Sequence, residues 1–199
     1  MAISSELVKT LREKTGCGMM DCKKALAETN GDMEKSAELL RKKGLAALSK
    51  RAAKTAAQGV IDSYIHLGGK IGVMVEINCE TDFVAKNIEF QAFIKDIAMQ
   101  IAASSPQYIS REDVPESVIA HEKEILETQT KQEGKPEKAV AKIVEGRMGK
   151  FYSEVCLLDQ PFIKEMKKTI NDLLGDLSAK IGEKIVIRRF VRYQLGEKS

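Results

Sequence analysis

Two alternating runs flank Gly68-Gly69, and a third run of similar character lies far downstream. Val60 to Leu67 puts Ile61, Ile65 and Leu67 on one side and Asp62, Tyr64 and His66 on the other. Lys70 to Cys79 puts Ile71, Val73, Val75 and Ile77 on one side and Met74, Glu76 and Asn78 on the other. Period-two alternation predicts strands, and two adjacent glycines predict a two-residue hairpin turn, since glycine adopts positive φ without penalty. Lys184 to Leu195 is again strand-like: Ile185, Ile187, Val191 and Tyr193 alternate with Val186, Arg188, Phe190 and Arg192, and Arg189 falls on the more apolar side. Between the hairpin and this closing strand, helical spacing covers 88–103, 116–132, 136–148 and 162–181. A hairpin, a run of helices and a late strand predict an α+β core with an antiparallel sheet of about three strands packed with helices. Such a sheet has edges that must be paired, covered or charged, and pairing with a second copy is one solution.

Ahead of the hairpin the sequence predicts three short helices. Ser4 caps the first, which carries Ile3, Leu7, Val8 and Leu11 at helical spacing, and Gly16 and Gly18 break it. The second runs from Met19 to Glu28, with Met20 and Leu26 inward and Asp21 at its positive end. Asn30-Gly31 ends it. Asp32 caps the third, where Met33, Ala37 and Leu40 share a face, and Gly44 is expected to stop it. Leu45 to Gln58 reads as a solvated helical linker. The division expected is 1–54 for this module with its basic linker and 55–199 for the core.

Charge follows the same division. Residues 1–54 hold 12 Lys+Arg against 7 Asp+Glu, a balance of +5; residues 55–199 hold 20 against 22, a balance of −2. The basic excess is concentrated in Arg41, Lys42, Lys43, Lys50, Arg51 and Lys54. The whole chain of 199 residues carries only +3, too little to make phosphate neutralisation its main business. Aromatics are 5% and Trp is absent, which argues against a base-stacking platform. Hydrophobic residues at 43% are enough for a real core. No apolar run is long enough to span a membrane and no secretory signal is visible, so the four cysteines (Cys17, Cys22, Cys79, Cys156) read as reduced thiols in a cytoplasm. Their spacing is not that of a zinc site, and no metal is expected.

Catalytic chemistry is thinly represented. His66 lies in a strand and His121 in a charged helix, and neither neighbours a nucleophile motif. Gly68-Gly69-Lys70-Ile71-Gly72 lacks the spacing and the following hydroxyl of a phosphate-binding loop. No catalytic residue, no cofactor and no direct nucleotide site is expected.

One segment departs from this bland pattern: Asn78-Cys79-Glu80-Thr81-Asp82-Phe83-Val84-Ala85-Lys86-Asn87. It leaves a strand and opens a short helical turn that Thr81 or Asp82 can cap, and Asn87 can cap the longer helix from Ile88. Phe83 then stands in the first turn at a strand exit. Either Phe83 and Val84 plug the core beneath the loop, or Phe83 is a presented aromatic anchor with Asp82 beside it.

Thr81-Asp82-Phe83-Val84, preceded by Asn78-Cys79-Glu80, resembles a signature of the translation elongation factor Ts family. Thr15-Gly16-Cys17-Gly18-Met19-Met20-Asp21-Cys22-Lys23-Lys24-Ala25-Leu26 resembles that family's other signature. Glu133-Gly134-Lys135-Pro136, Val144-Glu145-Gly146-Arg147-Met148, Gln160-Pro161-Phe162 and the closing Arg189-Phe190 to Leu195-Gly196-Glu197 are similar as well, in order along the chain. The resemblance implies a guanine-nucleotide exchange factor for elongation factor Tu. It implies an N-terminal ubiquitin-associated-like three-helix module that docks on the partner's nucleotide-binding domain. It also implies an Asp-Phe pair pushed between two helices of that domain, disturbing its magnesium site and loosening GDP. By that resemblance Phe83 is the wedge, Asp82 assists, Thr81 and Val84 complete the segment, and Met19, Met20 and Lys23 are candidate contacts of the module. Longer family members carry a duplicated half of the core; this chain has one such half, so a homodimer is expected, through the sheet ending in Lys184–Leu195. The rival readings are a ribosome- or RNA-associated module using Arg41–Lys54, and a ubiquitin-type adaptor built on the N-terminal module. The adaptor leaves Asp82-Phe83 unexplained.

Overall fold

A computed structural model describes residues 3–15, 17–51, 53–66 and 68–197. The elements run α1 (Ser5–Thr15), α2 (Met19–Glu28), α3 (Met33–Arg51), β1 (Gln58–Ile65), β2 (Ile71–Cys79), α4 (Asp82–Ala85), α5 (Ile88–Ser104), α6 (Glu116–Gln132), α7 (Glu137–Val155), β3 (Pro161–Phe162), β4 (Glu165–Thr169), α8 (Ile170–Ile181) and β5 (Val186–Gln194). Three helices followed by a small antiparallel sheet among helices make an α+β protein, as the sequence predicts. The sheet has the order β1-β2-β5, and β3 pairs with β4 in a separate two-stranded antiparallel ribbon.

The three N-terminal helices form where local chemistry places them. Ser4 Oγ accepts from the Leu7 N–H at 3.2 Å, and Asp32 Oδ1 accepts from the N–H groups of Glu34 and Lys35 at 3.1 and 3.0 Å. Asn30 and Gly31 take positive φ of 54° and 85°, and the Gly31 N–H closes on the Leu26 carbonyl. Val8, Leu11, Cys22, Ala25, Leu26 and Leu40 form the buried centre, flanked by Ile3, Cys17, Met33, Ala37 and Leu39. Two expectations fail here. Met20 is exposed, because Cys22, Ala25 and Leu26 fill the inward stripe of α2. Nor does α3 stop at Gly44. A helix-interior glycine costs about 1 kcal/mol relative to alanine, and the Ala-, Leu- and Lys-rich neighbours carry the helix past it. Gly16, predicted as a breaker, and Leu67, predicted in β1, lie outside the described residues.

Compactness divides the chain into two units: Met1–Ile61, Glu76–Phe93 and Asp172–Arg188 in one, and Asp62–Val75, Ile94–Asn171 and Arg189–Ser199 in the other. The first unit holds the three-helix centre and, on α5, the fully buried Phe90. It also holds Gly59 at φ 149°, where a Cβ would overlap the Ile77 carbonyl oxygen and lie 2.7 Å from Asn78 Cα. Gly59→Ala is therefore expected to cost about 1–3 kcal/mol, read as a lower melting temperature with β1 and β2 otherwise intact.

In the second unit the α6–α7 hairpin buries Leu126, Val140, Val144 and Met148, with Ile119, Phe151 and Tyr152 against them. Residues 162–169, predicted as the start of a helix, are instead β3, β4 and their turn. The buried Gln100 on α5 explains the difference. Its Oε1 accepts from the Ile163 N–H at 2.9 Å, and its Nε2 donates to Gln160 Oε1 and the Pro161 carbonyl. Tertiary partners for those backbone groups override a helical spacing of apolar residues. The β1–β2 connection also differs from a two-residue turn. Just past β1 the His66 N–H bonds the Ile71 carbonyl and the Gly69 N–H bonds the His66 carbonyl, with Gly68 and Gly69 at φ 82° and 67°.

β2 behaves as its alternation predicts, with Val73, Val75, Ile77 and Cys79 buried. The apolar side of β1 does not: Ile61 and Ile65 are exposed. Burial does not alternate regularly along β5: Ile185 and Ile187 are buried, Arg188 and Arg189 are both exposed, and beyond them Phe190 and Arg192 are half-buried while Val191 and Tyr193 are exposed. Arg192 Nε reaches the Ala102 carbonyl.

Candidate functional site

The segment after β2 is built from its own side chains. Cys79 is buried at the strand end and its Sγ donates to the Thr81 carbonyl at 3.1 Å. Burial pushes its thiol pKa up, with the Glu183 carboxylate adding to the effect. Thr81 is extended (φ −128°, ψ 157°), and its Oγ1 accepts from the Val84 N–H at 3.4 Å, so Thr81 rather than Asp82 is the cap of α4. Asn87 Oδ1 then accepts from Glu89 and Phe90 N–H groups at the head of α5. Gln91 Nε2 donates to the Ala85 carbonyl at 2.6 Å, tying the end of α4 to α5.

This scaffold separates the two apolar residues of α4. Val84 is buried, and Phe83 is 83% exposed. Of the two alternatives left open by the sequence, core plug or presented ring, Val84 takes the first and Phe83 the second. Fully burying such a ring is worth about 1.5–3 kcal/mol, and the fold leaves that unused. Asp82 is exposed and forms an i,i+4 pair with Lys86 at 3.0 Å, whose hydrogen bond and charge hold its carboxyl below the usual carboxylate range. Ile88, at the head of α5, is 85% exposed and was not singled out by the sequence.

On α2, Met19 and Met20 are both exposed, and so is Lys23, at i+4 and i+3 from them. The cap residue Gly18 offers no side-chain hydrogen bond. The surface is a pair of flexible apolar side chains beside a cation. The basic stretch that follows is engaged within the chain at several points: Arg41 with Asp172, Lys42 with Glu38, Lys43 with Glu28 and Lys54 with Glu80. The side chains of Lys50 and Arg51 lie outside the described ones.

Beneath the exposed ring is a polar brace the sequence gives no sign of. Glu183, just after α8, accepts from the N–H groups of Glu80 and Thr81, each at 3.1 Å, and from Thr81 Oγ1 at 2.7 Å. Its partners lie about a hundred positions earlier, beyond the reach of any local pattern. Among the described residues no three His, Cys, Asp or Glu side chains stand close enough to hold a metal ion, and no helix is long and apolar enough to cross a membrane. The only ring contact of either histidine is between His66 and Tyr64, whose hydroxyl lies 3.1 Å from His66 Nδ1, among the described residues.

Comparison with known proteins bears on this arrangement over nearly its whole length. A family model described as Elongation factor TS matches residues 20–197. A protein of Moorella thermoacetica named Elongation factor Ts is 62% identical over 195 residues, covering 98% of this chain and 96% of that one. Proteins of the same name from Desulforamulus reducens and Carboxydothermus hydrogenoformans are each 63% identical over 195 residues, covering 98% of this chain and 90% of theirs. With the exposed Phe83 inside the matched span and relatives of this identity on both counts of coverage, the chain belongs to the elongation factor Ts family of translation elongation factors.

Proposed function

We propose that this protein is a guanine-nucleotide exchange factor that binds elongation factor Tu in its GDP state and promotes GDP release by inserting Asp82-Phe83. The observation that carries the reading is the presentation of Phe83: an aromatic ring held in solvent on a capped, cross-braced turn rather than packed in the core. A ring of this kind is the usual anchor of a protein interface. Thr81 and Val84 hold the turn in place. Met19, Met20 and Lys23 supply a second contact from the N-terminal module, residues 1–54, with 55–199 as the core.

No catalytic side chain is needed, and the protein is not an enzyme on this reading. Magnesium in the partner's site offsets the charge of the bound diphosphate, so displacing it loosens the nucleotide. Linkage is reciprocal: a factor that weakens GDP binding is itself bound less tightly when GDP is present, and therefore prefers the nucleotide-free partner. A coupling of about 4 kcal/mol is about a thousandfold in affinity, within reach of a buried ring plus a docked module. Incoming GTP refills the site and expels the factor. The work takes place in the cytoplasm, and the chain itself holds no nucleotide, cofactor or metal. Release of a fluorescent GDP analogue from elongation factor Tu, with and without this protein, tests the reading. Unchanged release at saturating protein overturns it.

A homodimer completes the proposal. Ile65, Met74, Val191 and Tyr193 leave apolar surface exposed on β1, β2 and β5, and a second copy of the same sheet fits that chemistry. Light scattering is expected to give twice the chain mass. A monomer with full exchange activity at working concentration refutes the dimer.

A further inference from the structure

We propose that Glu183 is a positioning residue for the exposed Phe83, acting through Thr81; this rests on the exchange reading above. Its carboxylate gathers three donors from the entry to α4: the Glu80 and Thr81 N–H groups at 3.1 Å and the Thr81 hydroxyl at 2.7 Å. Hydrogen bonds to an ionised acceptor are roughly twice as strong as neutral ones. The arrangement is reciprocal. Glu80 Oε1 accepts from the Lys184 N–H at 2.7 Å, Glu80 Oε2 from Lys54 Nζ at 2.9 Å, and Lys184 Nζ reaches the Lys54 carbonyl at 3.0 Å. Glu183 is held by the Glu80 and Thr81 N–H groups and Glu80 by the Lys184 N–H, and together they lock the exit of β2 to the turn after α8.

The hydroxyl of Thr81 is the link to Phe83. By donating to Glu183 it aims its proton away from α4 and leaves a lone pair for the Val84 N–H. Without Glu183 that hydroxyl is free to rotate, and a four-residue helix has no stability of its own to fall back on. The far side of the turn is held as well, since Lys180 in the last turn of α8 pairs with Glu89 in the first turn of α5 at 2.6 Å. The end of α8 thus grips the chain before and after the ring. A wedge transmits force only if it is stiffer than what it enters, and a segment already ordered loses less entropy on docking.

The test compares Glu183→Ala, Glu183→Gln, Phe83→Ala and the double variant Phe83→Ala/Glu183→Ala in the full-length protein. Glu183→Ala is expected to lower maximal stimulation of GDP release about tenfold, the value of one charge-assisted hydrogen bond. Glu183→Gln keeps an oxygen for the two N–H groups but turns toward the Thr81 hydroxyl an NH2 that cannot accept its proton, so it should recover only part of the loss. In the double variant Glu183→Ala should add nothing to the effect of Phe83→Ala. An equal additional loss there would mean a merely structural residue and overturns the proposal. Deuterium uptake by the amides of 80–85, measured without partner, should rise in Glu183→Ala; unchanged uptake also overturns it. That readout is independent of exchange, so if Phe83→Ala leaves GDP release untouched, the exchange reading fails while uptake still decides the brace.

Discussion

Replacing Phe83 by alanine is expected to cut stimulated GDP release from elongation factor Tu about a hundredfold, the cost of losing an interface anchor worth nearly 3 kcal/mol. The same change should leave the fold alone. A side chain 83% exposed contributes little to folding, and surface substitutions stay within about 0.5 kcal/mol. For a chain of this length that is a shift of at most about 2 °C in melting temperature. Stopped-flow release of labelled GDP measures the first quantity, and circular dichroism during heating measures the second. A variant that unfolds early, or one that exchanges normally, would each break the link between this ring and the activity.

Phe90→Ala should behave in the opposite way. Phe90 lies seven positions further on, fully buried on α5. Truncating a buried phenylalanine costs about 3–5 kcal/mol through lost transfer energy and the cavity left behind. At about 2–4 °C per kcal/mol, melting should fall by about 6–20 °C. That is a large share of a typical domain's stability of about 5–15 kcal/mol. Below its lowered midpoint, the folded fraction of this variant should still stimulate release. Two phenylalanines on neighbouring helices thus separate stability from activity in one pair of experiments.

What could be read in advance depended on how far apart the determining partners lie. The caps at Ser4, Asn30-Gly31, Asp32 and Asn87 were legible because each acts within a few residues of itself. The alternation of β2 was legible because both of its faces have consistent surroundings. Residues 162–169 were not, because their backbone is claimed by Gln100, some sixty positions away. The exposure of Met20 could not be read from helical spacing, which allows more apolar positions than the stripe of α2 uses. At Phe83 the residues alone left plug and anchor both open; the family resemblance favoured the anchor, and its exposure agrees with that. Glu183 had no local signal at all. Its meaning comes only from the turn it grips.

Beyond Arg188 and Arg189, which are both exposed, the exposed Val191 and Tyr193 alternate along β5 with the half-buried Phe190 and Arg192. Removing a single residue there would swap the two sets, turning Val191 and Tyr193 toward the interior and sending Phe190 and Arg192 to the outside. The stickiness of that surface is therefore governed by strand length as much as by chemistry. One codon gained or lost there would exchange the side chains that compose it while leaving each remaining residue chemically unaltered.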